Sequence, residues 1–251
     1  MISDAARTAL DALVARDDPT ILGLVLSGSA ARGMATERSD VDVYVVRADS
    51  AGLETSRSPE LDEIPISLDE LEEVPAYGSG GWYFRWSFAY AQVLRDRSGG
   101  RIAAAVRRQA VLDDAEQRSM LIDHDRLDGW VNFAYRSLKS HRDGRVLQSR
   151  LDAAESVPWL LDVVFALGGR VRPYNKYLPW ELREHALTVP EWSAEAFLPE
   201  IERILAGDSA ALRRTFAVVD REVRAWDAAH GTTVCGDTLD AWADELTVLR
   251  G

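Results

Sequence analysis

The chain is poor in cysteine and lysine and has no long apolar run. Its one cysteine, Cys235, excludes an internal disulfide framework and fits a reducing cytoplasm. No stretch reaches the roughly 18 uncharged apolar residues that a bilayer crossing needs. The start, Met1-Ile2-Ser3-Asp4-Ala5, lacks the basic region of a secretory leader. A soluble cytoplasmic protein is therefore expected. The four histidines (His124, His141, His185, His230) show no metal-ligand spacing. The net charge of −12 disfavours a nucleic-acid backbone as partner and better suits a polycationic small molecule. Lys139 and Lys176 are the only lysines in an arginine-rich chain, a hint that those positions want a compact ammonium.

Length allows one large domain or two modest ones. Alanine and leucine recur at helical spacing over 4–16, behind a plausible Ser3 cap. Residues 21–26 and 41–46 read as strands, the first fully buried. Residues 48–60 read as a loop, 64–68 as a short strand whose Pro65 points to an edge, and 69–73 as the start of a brief helix. A glycine-rich connection leads to the aromatics Trp82, Tyr83, Phe84, Trp86, Phe88 and Tyr90, then to a strand over 90–94 and a helix over 102–112. Trp82 and Trp86 suit core packing, or a stacking wall for a flat ring. Beyond about 115 strand signals stop, and 126–142, 147–167, 177–187, 195–206 and 209–229 carry apolar residues at helical spacing. The expected architecture is an α+β domain with a small mixed sheet and flanking helices over 1–115, followed by an all-α helical bundle over 116–251.

The densest signal is Leu26-Ser27-Gly28-Ser29-Ala30-Ala31-Arg32-Gly33, followed by Ser39-Asp40-Val41-Asp42-Val43-Tyr44-Val45-Val46. Asp40 and Asp42, two apart, point to one side of a strand. Carboxylates forced together repel unless a cation lies between them, and hard oxygen ligands suit Mg²⁺. The Gly28-Ser29 turn enters a short helical stretch whose N–H groups can receive phosphate oxygens.

This combination resembles the signature of the polymerase-β-like nucleotidyltransferase superfamily. It is similar to the superfamily's small bacterial branch with a C-terminal helical domain, which includes the aminoglycoside nucleotidyltransferases. The resemblance implies a Mg²⁺-dependent adenylyltransferase that moves AMP from ATP to a small-molecule hydroxyl, on an aminoglycoside antibiotic for instance, and releases pyrophosphate. Gly28 and Ser29 would hold phosphates, and Asp40 and Asp42 would bind two Mg²⁺ ions. The third carboxylate is open between Asp62 and Glu63, with Asp96 a weaker option: Asp62 shares a strand face with Ile64 and Ile66, while Glu63 faces the other way. Lys176 lies in Arg170-Val171-Arg172-Pro173-Tyr174-Asn175-Lys176-Tyr177, similar to a segment from which a lysine reaches the triphosphate in relatives with a helical domain; Arg32 could act likewise. Asp152 and Glu155 share a helix face that could bind amines or orient Arg136. Two alternatives stand beside this reading: the same chemistry on a protein or tRNA end, and a non-catalytic, antitoxin-like module that binds nucleotide.

Overall fold

A computed structural model describes residues 2–251. The chain forms two compact units, one ending at Val111 and one running from Leu112 to Gly251.

The first unit opens with α1 (Asp4–Ala15), capped by Ser3, whose side chain accepts from the Ala6 N–H. Then come β1 (Ile21–Leu26), the one-turn α2 (Gly28–Ala31), β2 (Val41–Arg47), the two-residue β3 (Ser56–Arg57), β4 (Leu61–Ser67) and α3 (Leu68–Glu72). A 3₁₀ segment, Trp82–Phe88, carries most of the aromatic cluster and leads to β5 (Gln92–Asp96) and α4 (Arg101–Ala110). The strands form one mixed sheet in the order β3-β4-β2-β1-β5. β1 runs antiparallel to β2 and β5, whereas β2 and β4 run parallel, with Asp42 beside Asp62 and Val43 beside Glu63. β4 is longer than its sequence pattern suggested, and Pro65 sits beyond the two residues that β3 pairs, where one neighbour is enough.

The period of two divides the core. Val41, Val43, Val45 and Leu61 pack with Leu13 and Ala6 of α1 on one face of the sheet. Tyr44 and Val46 pack with Leu71, Phe88, Ile102 and Val106 on the other. Trp82 and Trp86 are buried, as core packing requires.

The second unit is helical: α5 (Asp114–Arg118), a π turn (Ser119–Asp123), α6 (Arg126–Arg142), α7 (Val146–Leu167), α8 (Leu178–Glu184), α9 (Ala194–Leu205), α10 (Ser209–His230), α11 (Val234–Asp240) and α12 (Leu246–Arg250). The sheet-plus-helices first unit and helical second unit are the fold class the sequence predicted. Two short C-terminal helices and α5 were not foreseen. Gly129 of α6 lies against the Trp159 ring, where a Cβ would come within 2.3 Å, so its lack of a side chain lets α6 and α7 pack closely. Arg136 pairs with Asp152 at 3.2 Å, which gives that carboxylate a structural partner. Cys235 is fully buried, and burial pushes its thiol up to about 12, so it is an inert packing residue. No described helix is long and apolar enough to cross a membrane.

Candidate active site

The site begins where β1 ends. Ser27 continues the antiparallel ladder, its N–H donating to the Asp42 carbonyl at 2.8 Å, and the chain then turns into α2 at Gly28. Gly28 has φ +62°, and a Cβ placed on it would stand 2.0 Å from Asp42 Oδ2. Both facts require glycine: the left-handed conformation disfavours a side chain, and the Asp42 carboxylate fills the space one would need.

Around this turn, Asp40, Asp42 and Asp62 each place a carboxylate oxygen so that the three atoms lie within 4.8 Å of one another. Strand geometry explains the grouping. Asp40 and Asp42 are two residues apart at the start of β2, and the parallel register puts Asp62 next to Asp42 with its side chain on the same face. Three anionic oxygens at this separation repel in the bare protein. Being all oxygen, the cluster suits a hard divalent cation such as Mg²⁺.

Glu63 goes the other way. It points to the α1 face, where Arg16 grips both its carboxylate oxygens at 2.8 Å. The two residues left open by the sequence thus have separate surroundings: Asp62 joins the aspartate pair, and Glu63 ties β4 to the end of α1. Asp96 stands opposite Gly23, at the far end of β1 from the turn, and accepts from the Ser98 and Ala103 backbone at the start of α4.

Arg32, a candidate for the triphosphate, is buried, with 7% of its surface exposed. Its guanidinium lies 4.1 Å from the Trp86 ring centre and donates to the carbonyls of Gly28, Trp86, Ser87 and Ala89 at 2.6–3.0 Å. It thus fixes the Gly28 turn to the aromatic 3₁₀ segment. Three further ties were missed: Ser27 Oγ donates to Ser87 O at 2.6 Å, the Tyr44 hydroxyl meets Ser87 Oγ at 2.8 Å, and Gln92 Nε2 donates to Ala31 O at 2.7 Å. Their partners are 43 to 61 residues apart, so no local sequence pattern announces them. Burial raises the Tyr44 pKa, against a smaller lowering from Ser87, and keeps the phenol neutral beside Asp42.

Lys176 belongs to the second unit, on a short 3₁₀ turn (Asn175–Tyr177), exposed and with Nζ 4.7 Å from the Tyr177 ring centre. Arg172 braces this turn through Asn175 Oδ1 at 3.0 Å.

Residues 7–76 match a family model described as a nucleotidyltransferase domain. The match runs from α1 through α3 and includes the turn and all three aspartates. It supports the polymerase-β-like superfamily, nucleotidyl transfer as the chemistry and a nucleoside triphosphate as a substrate. No curated protein matches the chain.

Gly28→Ala tests the turn. The left-handed backbone alone should cost about 1–2 kcal/mol of stability. The displaced Asp42 carboxylate should lower kcat/KM for transfer by roughly 10²-fold, the scale of a small misplacement of reacting groups. Wild-type kinetics in this variant would show that the contact between Gly28 and Asp42 does not set the site's geometry.

Proposed function

We propose that the chain is a Mg²⁺-dependent adenylyltransferase that transfers AMP from ATP to a hydroxyl of a small molecule and releases pyrophosphate. The observation that carries this is the cluster of Asp40, Asp42 and Asp62 against the glycine turn. Asp40 and Asp42 would hold the divalent ions, two Mg²⁺ on this reading, which neutralise phosphate charge and polarise the α-phosphate. The Gly28 and Ser29 backbone N–H groups and the Ser29 hydroxyl would hold the β- and γ-phosphates. Asp62 would complete the metal site or take the proton of the attacking hydroxyl. Arg32 keeps the turn in place from behind. On this reading the catalytic domain spans 1–115 and a helical bundle spans 116–251.

Similarity to the aminoglycoside-modifying branch and the acidic balance put amine-bearing compounds on the acceptor panel, beside uncharged alcohols. The experiment is pyrophosphate release from ATP and Mg²⁺ across a panel of aminoglycosides and other hydroxyl compounds, with Asp42→Asn as the blank. Acceptor-dependent release that vanishes in the blank establishes both the reaction and its acceptor class. ATP binding with no release on any acceptor moves the reading to a macromolecular acceptor or to a nucleotide-binding partner module.

A further inference from the structure

A groove of about 550 Å³ opens beside Asp42 and Asp62 within the first unit. Its walls are Tyr44, Ile64, Ile66, Phe84 and Phe88, which stand along the same sheet face as the two aspartates or descend from the 3₁₀ segment. Phe84 is 62% exposed, an aromatic ring left in solvent at the edge of the groove, while the Tyr44 and Phe88 rings meet at 4.7 Å, tilted by 37°. Gln109 also lines the groove. Its Nε2 donates to the Leu71 and Glu73 carbonyls, and its Oε1 is buried with no hydrogen-bond partner among the described residues. The charged groups that line it beyond the aspartates are mostly engaged. Arg57 lies 3.8 Å from Asp62, Glu70 caps α3 through Ser67, and Arg85 is buried against the carbonyls of Gln109 and Val111. Little is left there to receive several ammonium groups.

Sheet order says which substrate this groove faces. The phosphate turn follows β1, the aspartate pair lies on β2 and Asp62 on β4, so the turn and Asp62 flank Asp42 from opposite sides. In an in-line displacement the attacking oxygen and the departing pyrophosphate also lie on opposite sides of the phosphorus. We infer that the groove is the acceptor site, and that the acceptor is a compact, largely apolar aromatic alcohol rather than a polycation. This rests on the proposed nucleotidyl transfer. The acceptor oxygen forms a bond to the α-phosphorus as the bridging P–O bond to the β-phosphate breaks. That electron pair leaves with pyrophosphate, and the hydroxyl proton passes to Asp62. An aromatic ring held by Phe84 and the isoleucines suits the apolar wall of the groove, with Asp42 and Asp62 at its end.

The test measures binding of 2-naphthylmethanol and of kanamycin to the full chain by calorimetry, with Mg²⁺ and a non-hydrolysable ATP analogue present. Phe84→Asp places a charge on an exposed edge and should leave the fold intact. It is expected to weaken 2-naphthylmethanol binding by roughly tenfold or more, with kanamycin binding weak and unchanged in both chains. Ile64→Asp, deeper in the groove, should act the same way. The inference is overturned if wild-type chain does not bind 2-naphthylmethanol at millimolar concentration, if both variants bind it as wild type does, or if kanamycin binds more tightly than the aromatic alcohol. Binding of the ATP analogue, titrated in the same samples, reports on the nucleotide reading separately: its absence sinks the transfer reaction whatever the alcohol does.

Discussion

An Asp42→Asn chain should lose nucleotidyl transfer by a factor on the order of 10³ or more, since several kcal/mol of metal-borne charge stabilisation goes with the ligand. The same substitution should not harm the fold. Asp42 is half-buried on a strand whose neighbours are paired on both sides, and asparagine keeps the side-chain shape. It also removes one of three like charges whose oxygens lie within 4.8 Å, so the variant should unfold at the same temperature or a higher one. Added Mg²⁺ should raise the melting temperature of the wild-type chain through preferential binding to the folded state, and should raise that of the variant much less. Activity and Mg²⁺-dependent melting are thus two independent readouts. Undiminished turnover, or an equal Mg²⁺ shift in both chains, would refute the metal assignment.

Arg32→Met should have the largest effect on stability, about 3–5 kcal/mol, the range for breaking a buried charged network. Methionine preserves much of the stem's packing but supplies no donors. The Gly28, Trp86, Ser87 and Ala89 carbonyls would then share the loss of a donor planar enough to serve all four. Arg32→Lys should recover only part of the loss, because an ammonium cannot reproduce the guanidinium fork. The check is the denaturant midpoint at constant m-value. Destabilisation below about 1 kcal/mol in Arg32→Met would mean that the turn is held by Ser27, Tyr44 and Gln92 without it.

The contrast between Arg32 and the aspartates shows what the sequence makes legible. Gly28-Ser29 and Asp40-Val41-Asp42 are local patterns whose meaning depends on spacing and a two-residue period, and the structure places them together. The choice between Asp62 and Glu63 needs one non-local fact, that β4 runs parallel to β2 with Asp62 level with Asp42. Once that register is known, alternation sends Glu63 to Arg16. The role of Arg32 depends on a segment more than fifty residues away, and an arginine in a one-turn helix looks solvated without it. Capping residues, by contrast, were available. Asp113 and Glu116 form a capping box that starts α5, and Ser67 with Glu70 starts α3 in the same way. Alternation after the aromatic cluster marked a strand, but Tyr90 has φ +61° and β5 begins only at Gln92.

The place of β2 in the sheet has a consequence for how the aspartates behave over time. β2 pairs with β1 on one edge and β4 on the other, and Val41, Val43 and Val46 within it are wholly buried. Strands of that kind open only when the whole domain does. The backbone that carries Asp42 therefore keeps its place during ordinary fluctuations, and only side-chain rotation moves the carboxylate. A counter-charge arriving from outside finds that backbone already in position.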